Sequence, residues 1–257
     1  MPTSTDFFWN DRIKASGIHF AISFVIALLA AGLVFELWYP YPYREISGGR
    51  ELFVIVVMVD VMLGPLITLA VFNRAKPWPE LRRDLVIVAL LQFSALGYGL
   101  WTVALARPVH LVFEYDRFRV VHAVDVPPEL LTKAPRDVTA LPLLGPTLLS
   151  LRPFRDGTEN MEATLAALNG LPLSAQPDLW QPYLSAKRQV LQAAKPVAAL
   201  KARFSMQAQA IDAIIASTGR QAQSLVYLPM VGRKSFWTVF LDPVTAEVLA
   251  FMPLDSF

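Results

Sequence analysis

The chain has no cysteine in its 257 residues, so neither a disulfide framework nor a thiolate metal site is available to it. Charge is scarce too: Asp, Glu, Lys and Arg make up 17%, against a hydrophobic share of 54% and a mean hydropathy of +0.43. That balance lies outside the usual range for a soluble globular protein. The net charge is only +2 and no Lys/Arg-rich run occurs, which argues against a nucleic-acid partner. A Gly-rich phosphate loop, an H-E-x-x-H helix, a nucleophile elbow and an EF-hand ligand run are all missing. No catalytic residue, cofactor or metal is therefore assigned. What is present is unevenly spread: apolar residues crowd before Arg107, charge and proline after it.

Three apolar runs fill the first part, at residues 17–38, 52–72 and 85–105. Each is about 21 residues, enough at about 1.5 Å per residue to cross a hydrocarbon core of about 30 Å. The first run is too long for a signal-peptide core and leads directly into Glu36-Leu37-Trp38-Tyr39-Pro40, so it is expected to stay as an uncleaved anchor. Trp38, Tyr39, Tyr41 and Tyr43 read as an interfacial aromatic belt. Positive charge sets the expected orientation. Arg12 and Lys14 precede the first span, and Arg74, Lys76, Arg82 and Arg83 separate the second from the third. The opposite side has Arg44, Arg50 and Arg107, with Arg117 and Arg119 further on. The excess places residues 1–16 and the second loop in the cytoplasm, and residues 107–257 in the periplasm.

Asp60 is the acidic residue well inside a span, a costly position that demands a partner, a proton or water. Measured from the cytoplasmic ends, Asp60 lies about 18 Å deep and Tyr98 about 20 Å, whereas Gln92 is about 8 Å shallower. Depth therefore selects Tyr98 as the partner. Gly64-Pro65 follows one turn later; proline cannot donate to the helix ladder and crowds the Val61 carbonyl, so a kink is expected. Asp60, Gly64, Pro65 and Tyr98 form the candidate intramembrane contact. It serves either to dock a partner or, more plainly, to pack the bundle.

After Arg107, residues 109–115 and 118–123 alternate as a β-hairpin about Asp116-Arg117. The expected register sets Tyr115 against Phe118, Phe113 against Val120, and Glu114 against Arg119. It also puts His110 and His122 on opposite faces, which disfavours a two-histidine metal site. A strand is predicted at 147–151, and helices at 158–168, from Asp178 through 195, and at 200–217. Strands follow at 224–228, 236–241 and 247–251. Asp242-Pro243-Val244-Thr245 reads as turn chemistry, not as an acidic site. The fold class is thus three transmembrane α-helices, spanning residues 17–106, followed by an α+β soluble domain with an antiparallel sheet and helices on one face.

Several motifs together resemble the TfpX/TfpZ family of type IV pilin accessory proteins. They run from Arg12-Ile13-Lys14 and His19 through Trp38-Tyr39-Pro40 to Asp60-x-x-Leu63-Gly64-Pro65-Leu66. They continue with Gln92, Tyr98-Gly99, Ala106-Arg107-Pro108, Val112-Phe113-Glu114 and Asp116-Arg117-Phe118, and end with Tyr227-Leu228-Pro229-Met230-Val231-Gly232-Arg233-Lys234. The resemblance implies a non-enzymatic inner-membrane protein whose partners are a cognate type IV pilin and other inner-membrane proteins of pilus assembly. It supplies no active site. The chain is not itself a pilin, because it lacks the Gly-Phe-Thr-Leu-Ile-Glu cleavage motif. Two other classes stay open from the residues alone: a small transporter or membrane enzyme centred on Asp60, and an envelope sensor with a periplasmic ligand-binding domain.

Overall fold

A computed structural model describes residues 4–257. The chain divides into two compact units, one holding the residues up to Leu37 together with Gly49–Leu105, the other Trp38–Gly48 together with Ala106–Phe257.

The first unit is three helices. Helix α1 covers Ser4–Gly32 and runs on as a π-helical stretch, Leu33–Trp38. Helix α2 covers Gly49–Val71, and α3 covers Trp78–Leu105. All three are long and apolar enough to cross a membrane. They begin before the apolar runs do: at about 1.5 Å per residue the 28-residue α3 is about 42 Å long, so polar turns extend past the hydrocarbon core. The disturbance expected at Gly64-Pro65 takes the form of a π-helical turn over Val59–Leu63, just ahead of the proline. A wider turn relieves the crowding where Pro65 offers no N–H to the Val61 carbonyl. Helices α2 and α3 approach closely at Gly99, where a Cβ would come within 2.6 Å of a Val56 methyl.

The second unit is built on one sheet of strands β1 (Pro108–Glu114), β2 (Arg117–His122), β3 (Thr147–Leu151), β4 (Trp180–Pro182), β5 (Lys195–Pro196), β6 (Val226–Val231), β7 (Phe236–Leu241) and β8 (Val248–Met252). Their order is β4-β3-β1-β2-β6-β7-β8, with β5 also on β6. The α+β class stands, but the sheet is mixed: β1 pairs with β3, and β2 with β6, in parallel. Helices also cover both faces instead of one. Leu111, Phe113, Leu228, Met230, Val239 and Leu241 pack with Tyr183 and Val190 on one side. On the other, Val109, Val112, Leu149 and Trp180 form one cluster, and Tyr227 and Phe240 another with Val197, Leu200, Ile211 and Ile215. A strand with both faces buried reads as a near-continuous apolar run, as Val109, Leu111, Val112 and Phe113 do about the buried His110.

The hairpin turn falls one residue earlier than expected. Tyr115-Asp116 is the loop, with Tyr115 at φ +61°, so Phe113 faces Phe118 and Glu114 faces Arg117. A two-residue hairpin turn needs positive φ at its first position, which places the bend at Tyr115. The Glu114–Arg119 ion pair survives as a diagonal contact, Arg119 Nε donating to Glu114 Oε2 at 3.0 Å. Strand 147–151 and helix α4 (Gly157–Leu168) match their expected positions; Asp156 caps α4 by accepting the Glu159 N–H. The helix expected from Asp178 is broken up. Trp180–Pro182 is drawn out as β4 against β3, between 3-10 turns at Pro177–Leu179 and Tyr183–Ala186, and only α5 (Lys187–Ala193) is α-helical. The next expected helix is likewise two, α6 (Val197–Arg203) and α7 (Ala208–Ser217), parted by a 3-10 turn at Ser205–Gln207. Strand β6 extends through Pro229, where its neighbour changes from β5 to β2 and a missing N–H is tolerated.

The aromatic belt also resolves differently. Tyr39 (0% exposed) and Tyr43 (7%) are buried in the second unit, while Tyr41 stays exposed. Tyr43 and Ile46 join the cluster around Leu111, Phe118 and Leu228. Lys234 N–H donates to the Ile46 carbonyl at 3.0 Å, and a Cβ on Gly232 would stand 3.0 Å from that of Ile46. The loop between the first two spans is therefore part of this domain's core.

Candidate functional site

Inside the first unit, polar groups gather where the three helices meet. Asp60 is 5% exposed, on the π-helical turn of α2. The Gln92 Nε2 amide lies 3.0 Å from the Asp60 carbonyl, 3.2 Å from its Oδ1 and 3.3 Å from Ser23 Oγ. One amide on α3 thus bridges α2 and α1. Gly64 makes this possible: a Cβ there would overlap the Gln92 amide. Pro65 serves through its carbonyl, which accepts from Ser16 Oγ at 2.9 Å. One turn on, His19 Nδ1 and Thr68 Oγ1 stand 2.5 Å apart. Ser16, His19 and Ser23 are spaced three and four residues apart, so they form one stripe down α1.

Gln92, and not Tyr98, is the partner of Asp60. Tyr98 is 68% exposed on the outer face of α3, with its ring 5.7 Å from that of Trp101. Depth along the helix does not decide which side chains meet; helical phase does. The buried stripe of α3 runs through Leu81, Val88, Gly99 and Val103. Gln92 falls four residues after Val88 on that stripe, and Tyr98 falls off it. Ser16, His19, Ser23 and Thr68 share the inward phase, each bonding across to a neighbouring helix.

A cavity of about 410 Å³ opens beside this network, with His19, Ser23, Asp60, Thr68 and Gln92 among its walls. Its rim includes Ile18 and Phe93, which are 64% and 62% exposed, so it opens onto the outer surface of the helices. On the other side of Asp60 a cavity of about 330 Å³ is walled by Val56, Val59 and Gly99.

In the second unit, Phe113, Glu114, Asp116, Arg117, Phe118 and Arg119 lie along the β1–β2 hairpin. Phe113 and Phe118 are core, 5.8 Å apart edge to face. Arg117 pairs with Asp116 at 2.6 Å and lies 4.7 Å over the Phe257 ring. His122 bonds Asp125 through Nδ1 at 3.0 Å, and His110 sits elsewhere, its ring 4.5 Å from that of Trp180. Among the described residues no group of His, Cys, Asp and Glu is placed to hold a metal.

Three membrane-length helices tied by a buried carboxylate and carrying a mixed-sheet domain define a membrane-anchored protein. The profile of the fimbrial assembly protein FimB matches residues 7–48, covering α1 and the loop that packs into the domain. Over 246 residues, 95% of each chain, the protein is 34% identical to the fimbrial assembly protein of serogroup I from Dichelobacter nodosus, and equally so to that of serogroup E1. It is 42% identical to the protein of serogroups C1 and C2 over 113 residues, 44% of this chain and 86% of that one. The chain belongs to the fimbrial assembly protein family. No solved structure matches it.

Proposed function

We propose that this protein is a non-enzymatic inner-membrane accessory factor for type IV pili, of the TfpX/TfpZ kind, that holds its cognate pilin in the membrane for assembly or retraction. In this reading the amino terminus is cytoplasmic and the C-terminal domain periplasmic. The names of its relatives support a role in fimbrial assembly. The cationic residues Arg12, Lys14, Arg74, Lys76, Arg82 and Arg83 support the orientation.

The observation that carries the docking step is the cavity of about 410 Å³ that opens outward beside Asp60. A pilin's membrane helix could lay apolar side chains against Ile18, Ile22 and Phe93. A polar group on that helix would meet Gln92 and Asp60, whose hydrogen bonds are specific where water is scarce. A photocrosslinker at Ile22 or Phe93 in cells is expected to capture pilin, and Asp60→Asn is expected to lower capture and surface piliation. Crosslinks from the C-terminal domain with none from any span position would remove the membrane step.

A second reading, proton-linked transport, is favoured by His19 and Asp60 lining one cavity. It requires His19→Gln to abolish function, whereas docking tolerates that change so long as the Thr68 contact is kept.

A further inference from the structure

Residues 140–147 form a short loop before β3 whose tip carries two leucines turned outward, Leu143 at 74% and Leu144 at 66% exposed. The loop is held at both ends by one buried ring. His110 Nε2 donates to the Ala140 carbonyl at 2.9 Å, since a carbonyl can only accept, and its Nδ1 lies 2.7 Å from Thr147 Oγ1 and accepts from that hydroxyl. His110 itself is fully buried. Between these ends, Gly145 turns the chain at φ +46°. The leucines therefore sit on a braced tip and not on a slack connection.

Two contacts, each close in sequence to a span end, place that tip. Arg107 Nη2 donates to the Pro142 carbonyl at 3.2 Å, and Arg107 is two residues beyond Leu105, the end of α3. Pro40 lies beside Gly145, 3.8 Å from where a Cβ would stand, and Pro40 is two residues beyond Trp38, the end of the first span. Two residues of chain reach at most about 7 Å. The loop is tethered at the two points where the chain passes from span to domain, and nearby Tyr41 is 54% exposed.

The geometry points to a membrane-surface contact: the Leu143-Leu144 tip inserts into the interfacial layer of the bilayer that holds the three helices. The occupant is lipid, because both span ends deliver the base of the loop to the bilayer edge. A braced pair of leucines there exchanges water for acyl chains without ordering a flexible segment. The contact would hold the domain down on the membrane and limit its swing about the two short connections. It does not depend on the pilus reading, and its failure would leave that reading untouched.

Because the chain has no native cysteine, single labels are unambiguous. Leu144→Cys carrying an environment-sensitive fluorophore, in full-length protein in nanodiscs of phosphatidylethanolamine and phosphatidylglycerol, is expected to emit at shorter wavelength than the same label at Leu168→Cys. Leu168, on α4, is 79% exposed and serves as the water reference. Lipids spin-labelled near the headgroup should quench the Leu144 label several-fold more than the reference. Leu143→Cys repeats the measurement should the first variant misfold. Equal quenching at 144 and 168 would overturn the assignment. So would a blue-shifted Leu144 label that lipid quenchers cannot reach, since a protein surface would then cover the tip.

Discussion

The two units solve opposite packing problems. In the helical unit the outside is apolar, with Ile18, Ile55 and Leu90 each more than 60% exposed, and the polar groups Ser23, Asp60, Thr68 and Gln92 are turned inward. In the domain the sheet buries leucine, valine and phenylalanine on both faces. Lipid offers helices no hydrophobic reason to associate, so the spans rely on close approach at Gly64 and Gly99 and on hydrogen bonds such as that of Gln92. Water drives the domain together by burial. The loop 38–48 shows which regime wins where the chain has a choice. Its tyrosines could line an interface, but Tyr39 is buried and Tyr43 joins the sheet's core.

That contrast can be broken at several points. The largest effect is expected from Ile46→Asp, which buries an unpaired carboxylate in the domain core and should cost about 4 kcal/mol or more. Thermal unfolding in detergent and limited proteolysis would report it as loss of the domain; a wild-type profile would show that the loop does not belong there.

Acid should act next, and on the domain. Burial pushes the His110 imidazole down to about 4, against about 6.5 in an unfolded chain. Between those values the unfolded chain binds the extra proton, so stability is complete above about pH 6.5 and falls as pH drops toward 4, by at most about 3 kcal/mol. Unfolding measured from pH 7.5 to 4 should show this fall, and His110→Gln should flatten it.

Within the membrane unit, Asp60→Ala leaves Gln92 with fewer acceptors and should cost about 1–3 kcal/mol. Gly64→Leu should do at least as much by pushing the Gln92 amide away. Thermal aggregation of the detergent-solubilised protein would rank both against wild type. The smallest change is expected from Tyr98→Phe: its hydroxyl is on the outer face, and the effect should stay within about 0.5 kcal/mol. A loss from Tyr98→Phe larger than that from Gln92→Leu would restore tyrosine as the Asp60 partner.

Much of this molecule was legible beforehand, and the gaps have physical causes. Length and apolarity located the spans because a bilayer leaves few ways to satisfy a backbone. Strand Thr147–Leu151 and helix α4 lie close to the expected 147–151 and 158–168, the helix stopping where Gly170 takes positive φ. Trp180–Pro182 reads as helix in isolation because local pattern carries no record of β3, which needs an edge partner. Asp60 was recognisable as a site from its cost in lipid, but its partner was assigned by depth when rotation about the helix axis decides which side chains meet.

The amino-acid sequence by itself determined that three helices are held in a membrane, that a domain of mixed structure follows them, and that one carboxylate needs a partner. Hydropathy and charge dictate those outcomes wherever the rest of the chain lies. Only the tertiary structure decided that Gln92 answers Asp60, that the first loop lies in the domain's core, and that His110 braces a loop across its face. Each of those joins residues distant in sequence, with Gln92 32 positions from Asp60 and Ala140 30 from His110. Such meetings are fixed by which surfaces fit once the elements are packed.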